Sequence, residues 1–249
     1  MHSAPLAIVA ALNDEIKIIR SKMEIDTRVH VRPSLFEEGT YLKKSILLVR
    51  SGLGQEAMKT AISYCFTNFH PEFCLHIGYC GGTDPQFQAG DLIIANLIVD
   101  AASLKQHKPD ASIIQKAQKL CNNKGLRARI GGLVTVKDVI GTPHEKAFVG
   151  TEHEASGIDM ESSAFALECG KRSIPYLVVR SVFDPLDVSL PSLNAVDQEG
   201  KTDGMALAKH FARNPKDILA IPRIEYFATQ ARNSITAFVD AWLENTEAI

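Results

Sequence analysis

The chain has 249 residues, 45% hydrophobic and 22% charged, which suits one substantial core and excludes a disordered or fibrous polymer. A formal net charge of -2 leaves no basic surplus to neutralise a nucleic-acid backbone, so the expected partner is a small molecule and not a nucleic acid. The five cysteines follow no regular spacing, no basic-then-apolar leader opens the chain, and no apolar run reaches the roughly 20 residues of a membrane helix; a cytoplasmic protein without a transmembrane segment is expected.

Leu6 to Ala11 is a continuous apolar run, as expected of a strand buried on both faces; Ile16, Ile18, Ile19 and Met23 can then share one face of a helix over Glu15 to Met23, although Ile16 and Ile18 alone also fit strand alternation, and the helix is favoured. Ser45 to Arg50 is a second buried strand, ending in Ser51-Gly52-Leu53-Gly54, whose glycines permit a tight entry into a helix over Gln55 to Asn68. Phe73 to Ile77 is a third strand, and the cluster Gly78-Tyr79-Cys80-Gly81-Gly82 predicts a sharp loop after it. Leu92 to Val99 predicts a strand, Ala111 to Lys124 a helix capped by Gly125, Ile130 to Val136 a strand, and Met160 to Cys169 a helix. Ser173 to Ser181 is strand-like with Pro175 near its start, Asp187 to Asp203 is turn-rich, and Met205 to Phe211 and Ile218 to Leu243 have helical spacing.

Strands alternating with helices predict an α/β protein: a three-layer α/β/α single domain over residues 1–249, with a mixed, largely parallel central sheet. In such sheets ligands gather outside the carboxyl ends of the strands, which nominates Glu15, Ser51 to Gly54, Gly78 to Gly82 and Asp184, with Glu161 at a helix start nearby. Glu15 and Glu161 could equally be first-turn acids that complement a helix dipole. Asp184 is harder to dismiss, because it follows a buried strand and precedes Pro185, which bars an ordinary helical continuation.

Two competing patterns carry less. Gly52-Leu53-Gly54-Gln55-Glu56-Ala57 fits a dinucleotide-binding turn, but no acid closes the next strand, Glu72 standing at its start. His70, Cys74, His76 and Cys80 are close in sequence without the paired spacing of a metal site, and strand packing is the simpler reason for them. No metal is therefore expected.

The segments Ala11-Leu12-Asn13-Asp14-Glu15, Ser51-Gly52-Leu53-Gly54, Gly78-Tyr79-Cys80-Gly81-Gly82, Gly90-Asp91, Asp159-Met160-Glu161-Ser162-Ser163-Ala164 and Val178 to Asp184 occur in an order and spacing that resembles the nucleoside phosphorylases and nucleosidases. The resemblance runs from about Leu6 to Asp187 and implies cleavage of the N-glycosidic bond of a purine nucleoside, an adenosine substituted at its 5' carbon, with release of adenine. It implies that Asp184 protonates the leaving base, that Glu15 activates an attacking water, that Glu161 holds the ribose hydroxyls, and that Met160 packs on the sugar. Gly81, Tyr79 and Cys80 would line the sugar, and Val139 and Ile140 the base. Such bond cleavage builds positive charge on the ribose and negative charge on the base, which is why an acid for the base and an ionised carboxylate for the sugar are needed.

This sequence departs from the pattern in places. Tyr79-Cys80 stands where the nucleosidases have a serine-alanine pair, and the phosphate loop of the hexameric phosphorylases is absent near Asn13. If phosphate rather than water is the acceptor, Arg50, Ser51 and Gly52 are its candidate ligands. The tail, with Asp184 to Pro191 and Arg213-Asn214-Pro215, resembles the hopanoid-associated phosphorylases. The expectation is an enzyme without metal or organic cofactor, with phosphate as the one conceivable co-substrate, forming a homo-oligomer (dimer or hexamer) as family members do. The rival from another class is a nucleoside-binding or regulatory protein that has lost catalysis.

Overall fold

The computed structural model describes residues 6–190 and 221–245. Its elements run β1 (Leu6–Ala10), α1 (Asn13–Lys22), β2 (Glu24–Val31), β3 (Ser34–Tyr41), β4 (Lys44–Arg50), α2 (Gln55–Asn68), β5 (Cys74–Gly82), β6 (Leu92–Asp100) and β7 (Gln106–His107). There follow α3 (Ala111–Lys124), β8 (Ala128–Thr135), α4 (Pro143–Glu152), β9 (Gly157–Asp159), α5 (Ser162–Lys171), β10 (Tyr176–Asp184) and α6 (Ile221–Asn245). The helix expected over Met205 to Phe211 and the segment Arg213 to Pro215 lie outside the described residues.

The sheet is mixed. Its strand order is β10-β6-β8-β9-β5-β1-β4-β3-β2, and a further β5–β10 pairing closes β5, β10, β6, β8 and β9 into a ring. The strands β4, β1, β5 and β10 are mutually parallel, whereas β2, β3 and the β10–β6 pair are antiparallel. Alternation along β1 sends Ile8 and Ala10 into one core with Ile16 and Ile19 of α1, Ile114 of α3 and Phe238 and Trp242 of α6. Ala7 and Val9 point the other way, onto Met58 and Ile62 of α2 and Phe165 of α5. Helices on both faces therefore bury the sheet, giving the three layers that the buried apolar runs imply.

Three expectations are corrected. The Gly78 to Gly82 segment is not a loop but the second half of β5, paired with β10 from Tyr176↔Cys74 through Asp184↔Gly81 and with β9 at Gly81 and Gly82. Glycine serves close approach here: a Cβ at Gly78 would stand 2.0 Å from Arg180 Nη1. Secondly, β2 and β3 went unpredicted because their cross-strand pattern is held by charge. Glu37 of β3 is almost fully buried yet paired with Arg20 of α1 at 2.8 Å and Arg28 of β2 at 2.7 Å, so an acid occupies a core-facing position. Thirdly, α4 follows Ile140 where no helix was predicted. Its cap is Thr142, whose Oγ accepts from Glu145 N and donates to the Glu145 carboxylate at 2.6 Å, with Pro143 at the first helical turn.

All five cysteines are buried free thiols. Among the described residues no helix is long and apolar enough to cross a membrane. The closing helix α6 is anchored by Phe238 and Trp242, stacked at 5.9 Å between centroids, with Trp242 also stacked on Phe73. Phe238→Ala should therefore cost about 3–5 kcal/mol of stability in urea unfolding; a loss under about 1 kcal/mol would mean that α6 is not part of the core.

Candidate active site

The site is organised around a cation in the middle of the sheet. Arg180 of β10 is fully buried, and its Nε and Nη2 lie 2.8 and 2.7 Å from Asp159 Oδ2. Nη2 also donates to Ser162 Oγ at 3.0 Å and approaches His76 Nε2 at 2.6 Å. Because His76 Nδ1 faces the Val9 carbonyl at 3.1 Å, that nitrogen carries the hydrogen and Nε2 accepts from Arg180. Burial first, and the Arg180 charge second, hold the imidazole neutral, well below its usual range. Both ring nitrogens of His76 are thus engaged within the protein. Arg180 Nη1 is buried without a partner among the described residues.

Carboxylates converge on that guanidinium from separate elements. Glu15, in the first turn of α1, accepts from Ala11 N and Leu12 N through Oε2 at 2.9 and 2.8 Å, and from Tyr79 N through Oε1 at 2.8 Å. Glu15 thus holds backbone N–H groups at the start of α1 with one oxygen and of β5 with the other. Oε1 leans over Gly78 beside Arg180 Nη1, each within reach of the same absent methyl. Burial raises the Glu15 pKa, opposed by Arg180 and the three backbone donors.

Glu161 precedes α5 and accepts from Gly54 N, at the head of α2, at 2.7 Å; its other oxygen is 3.9 Å from Arg180 Nη2. Gly54 has φ 88°, which turns its N–H onto this carboxylate and favours glycine there. Burial lifts Glu161 to about 8; Arg180 opposes this, while Asp159 and Glu15 reinforce it. Asp159 is braced by Thr135 Oγ at 2.8 Å and by the Ser162 hydroxyl, so the turn between β9 and α5 is fixed by the same acid that neutralises Arg180.

Asp184 ends β10 just after a bulge: Val182 pairs Cys80 and Asp184 pairs Gly81, leaving Phe183 as the extra residue. The bulge re-aims the last side chain, and Asp184 lies with its carboxylate 3.4 Å from where a Gly81 Cβ would stand. Phe183 turns instead onto Tyr79, stacked at 5.6 Å, and onto Phe227 of α6. Asp184 Oδ2 accepts from Lys146 Nζ at 2.8 Å. Burial raises its carboxyl to about 6, with Lys146 pulling the other way.

Similarity to known proteins is found at this point. The sequence pattern of the Phosphorylase superfamily matches residues 5–213. The chain belongs to this superfamily. It is 24% identical over 195 residues to the 5'-methylthioadenosine/S-adenosylhomocysteine nucleosidase of Staphylococcus haemolyticus, covering 72% of this chain and 86% of that one. In structure it is similar to the nucleosidase of the same name from Neisseria meningitidis, solved with methylthio-immucillin-A, with a TM-score of 0.76 at 17% identity over 98% of this chain and 100% of the other. The futalosine hydrolase of Helicobacter pylori follows at a TM-score of 0.72 and 19% identity, covering 96% and 99% of the two chains. At those identities the structures speak for the superfamily fold.

Within this superfamily fold, Glu15 and Glu161 sit at helix starts and Asp184 at a strand end, where the sequence placed them, whereas Tyr79 lies inside β5 and not in a loop. Gly81 faces Asp184, and Cys80 is a buried thiol whose pKa burial pushes up. Met160 and Ile140 pack on one small apolar cluster with Val134, Val136 and Ile158, whereas Val139 is 68% exposed and stands apart from it. The candidate phosphate ligands are turned elsewhere: Arg50 Nη2 donates to the Pro33 carbonyl at 2.8 Å, and Ser51 N and Gly52 N donate to Ala10 O and Ala11 O at 2.8 and 3.1 Å.

Arg180, Asp159 and Lys146 were missed as site residues. A charged residue inside the apolar run Tyr176 to Val182 was the signal for Arg180, and the Thr142-Pro143-His144-Glu145 capping pattern was the signal for the helix that carries Lys146. Gly78→Ala tests the crowding over β5. Its methyl would displace Arg180 Nη1 and Glu15 Oε1, so kcat/KM should drop by roughly 100-fold or more, as general acid–base groups typically contribute; unchanged turnover would show that neither group is needed where it lies.

Proposed function

We propose that the protein hydrolyses the N-glycosidic bond of a 5'-substituted adenosine and releases adenine. One observation carries this: Glu15 and Glu161 are delivered by different elements to Arg180, whose Nη1 has no partner among the described residues and leans toward Glu15, while Asp184 ends the same strand against Gly81. Two of these acids suit opposite halves of one reaction. Asp184, raised to about 6, gives a proton to the purine nitrogen as the C1'–N9 electrons return to the base. Glu161 accepts from the ribose hydroxyls and favours the cationic sugar. Water, held by Glu15 and Arg180 Nη1, adds at C1' and passes its proton to Glu15.

Water is favoured over phosphate because the main-chain donors of Ser51 and Gly52 and the Arg50 Nη2 already serve protein carbonyls. The two nucleosidases named above act, by their names, on methylthioadenosine and S-adenosylhomocysteine, both adenosines with a sulfur substituent at the 5' carbon. The aromatic wall of Tyr79, Phe183 and Phe227 beside the strand ends suits such an apolar group.

Methylthioadenosine, S-adenosylhomocysteine and adenosine incubated with and without phosphate should yield adenine and the free sugar at a rate indifferent to phosphate. Ribose 1-phosphate products would move the acceptor to phosphate, and saturable binding with no free base would favour the non-catalytic alternative. Asp184→Asn should lower kcat about 10²–10⁴-fold, while undiminished base release would remove Asp184 from the acid role. In the free protein Glu161, at about 8, holds its proton at pH 7. Sugar hydroxyls favour its ionised form, so an uncleavable nucleoside analogue should expel a proton on binding at pH 7, read by calorimetry in buffers of differing ionisation enthalpy. Proton uptake would contradict that role.

A further inference from the structure

Lys146, on the second turn of α4, is completely buried, and nothing in the chemistry above uses it. Its Nζ donates to Asp184 Oδ2 at 2.8 Å, to the Pro185 carbonyl at 2.7 Å and to the Val188 carbonyl at 2.8 Å. Three acceptors match the three N–H bonds of an ammonium; a neutral amine would turn its lone pair onto one of those oxygens. A buried cation is costly and would be replaceable by an apolar side chain if the position only needed filling. Its placement is specific: it fixes one oxygen of the acid and the two carbonyls of the chain that follows.

We propose that Lys146 is a positioning residue for Asp184, anchoring Oδ2 so that Oδ1 presents the proton to the leaving base, and tuning by its charge how readily that proton is given up. The proposal rests on the adenine-releasing reading of the site. A carboxyl held only by burial keeps its proton too firmly; an ammonium against one oxygen makes it a stronger acid while leaving the other oxygen free. The groups facing Asp184 from each neighbouring element leave this role to Lys146. From β5 comes the Cys80 thiol, kept neutral by burial; after β10 come the carbonyls of Pro185 and Val188; Arg180 of the same strand is engaged by Asp159 instead. Burial and Lys146 are accordingly the largest opposed influences on the carboxyl, at about 6.

The test is the pH profile of adenine release for the unaltered protein, Lys146→Met and Lys146→Gln. Removing the cation raises the proton affinity of Asp184, so the profile and its optimum should move to higher pH by roughly 1–3 units, the usual effect of one adjacent opposite charge, with a lower maximal kcat. A structural role alone would lower activity without moving the profile, and coincident profiles would overturn the proposal. Should both variants fail to fold, the side-chain nitrogen resonance of Lys146 in the unaltered protein decides: it should shift with the titration of the Asp184 carboxyl carbon, and a nitrogen insensitive to that titration overturns it. No base release by the unaltered protein would reject the nucleosidase reading instead, and the resonance measurement would still report on the pair.

Discussion

A guanidinium with no exposed surface, surrounded by carboxylates, is the constraint that the rest of this structure satisfies. Arg180 lies on a central strand with apolar layers on both sides, where an unpaired charge would be prohibitive. Asp159 supplies the direct ion pair, His76 and Ser162 take further hydrogens, and Glu15 and Glu161, when ionised, add negative charge at longer range. These partners come from three other parts of the chain: Glu15 from α1, His76 from β5, and Asp159, Glu161 and Ser162 from the β9–α5 turn. The arginine therefore ties β1–α1, β5, β9–α5 and β10 into one arrangement, and losing a direct partner would cost about 3–5 kcal/mol as an orphaned buried charge.

The same residues do local and global work. Glu15 satisfies backbone N–H groups at the start of α1 with one oxygen and turns the other to the site. Glu161 takes the Gly54 N–H at the head of α2, so its carboxylate sits where a helix N-terminus already favours negative charge. Asp159 neutralises Arg180 and also fixes the turn into α5. Reactive groups held by secondary-structure ends in this way have little freedom to rotate, which is the preorganisation that acid–base and electrostatic catalysis require.

Asp184 is governed by different contacts. It lies past a bulge, against α4 rather than the arginine cluster, with its own buried cation. Separating the two regions lets one fold keep carboxylates with distinct proton affinities: burial lifts Glu161 to about 8 and Asp184 to about 6. Groups so displaced can do acid and base work together near neutrality.

By itself the sequence determined the apolar strands, the α2 and α3 boundaries, the superfamily resemblance, and the positions of Glu15, Glu161 and Asp184, because these depend on periodicity, capping and strand ends that are local in the chain. It could not show that Gly78 to Gly82 continues a strand, since that depends on pairing with β10, about a hundred residues away in sequence. Nor could it show β3, whose buried Glu37 is tolerable only because two arginines from other elements reach it. Arg180, Asp159 and Lys146 were hidden for the same reason. A buried charge is defined by its partners, and only the tertiary structure brings Asp159 to Arg180 and Lys146 to Asp184.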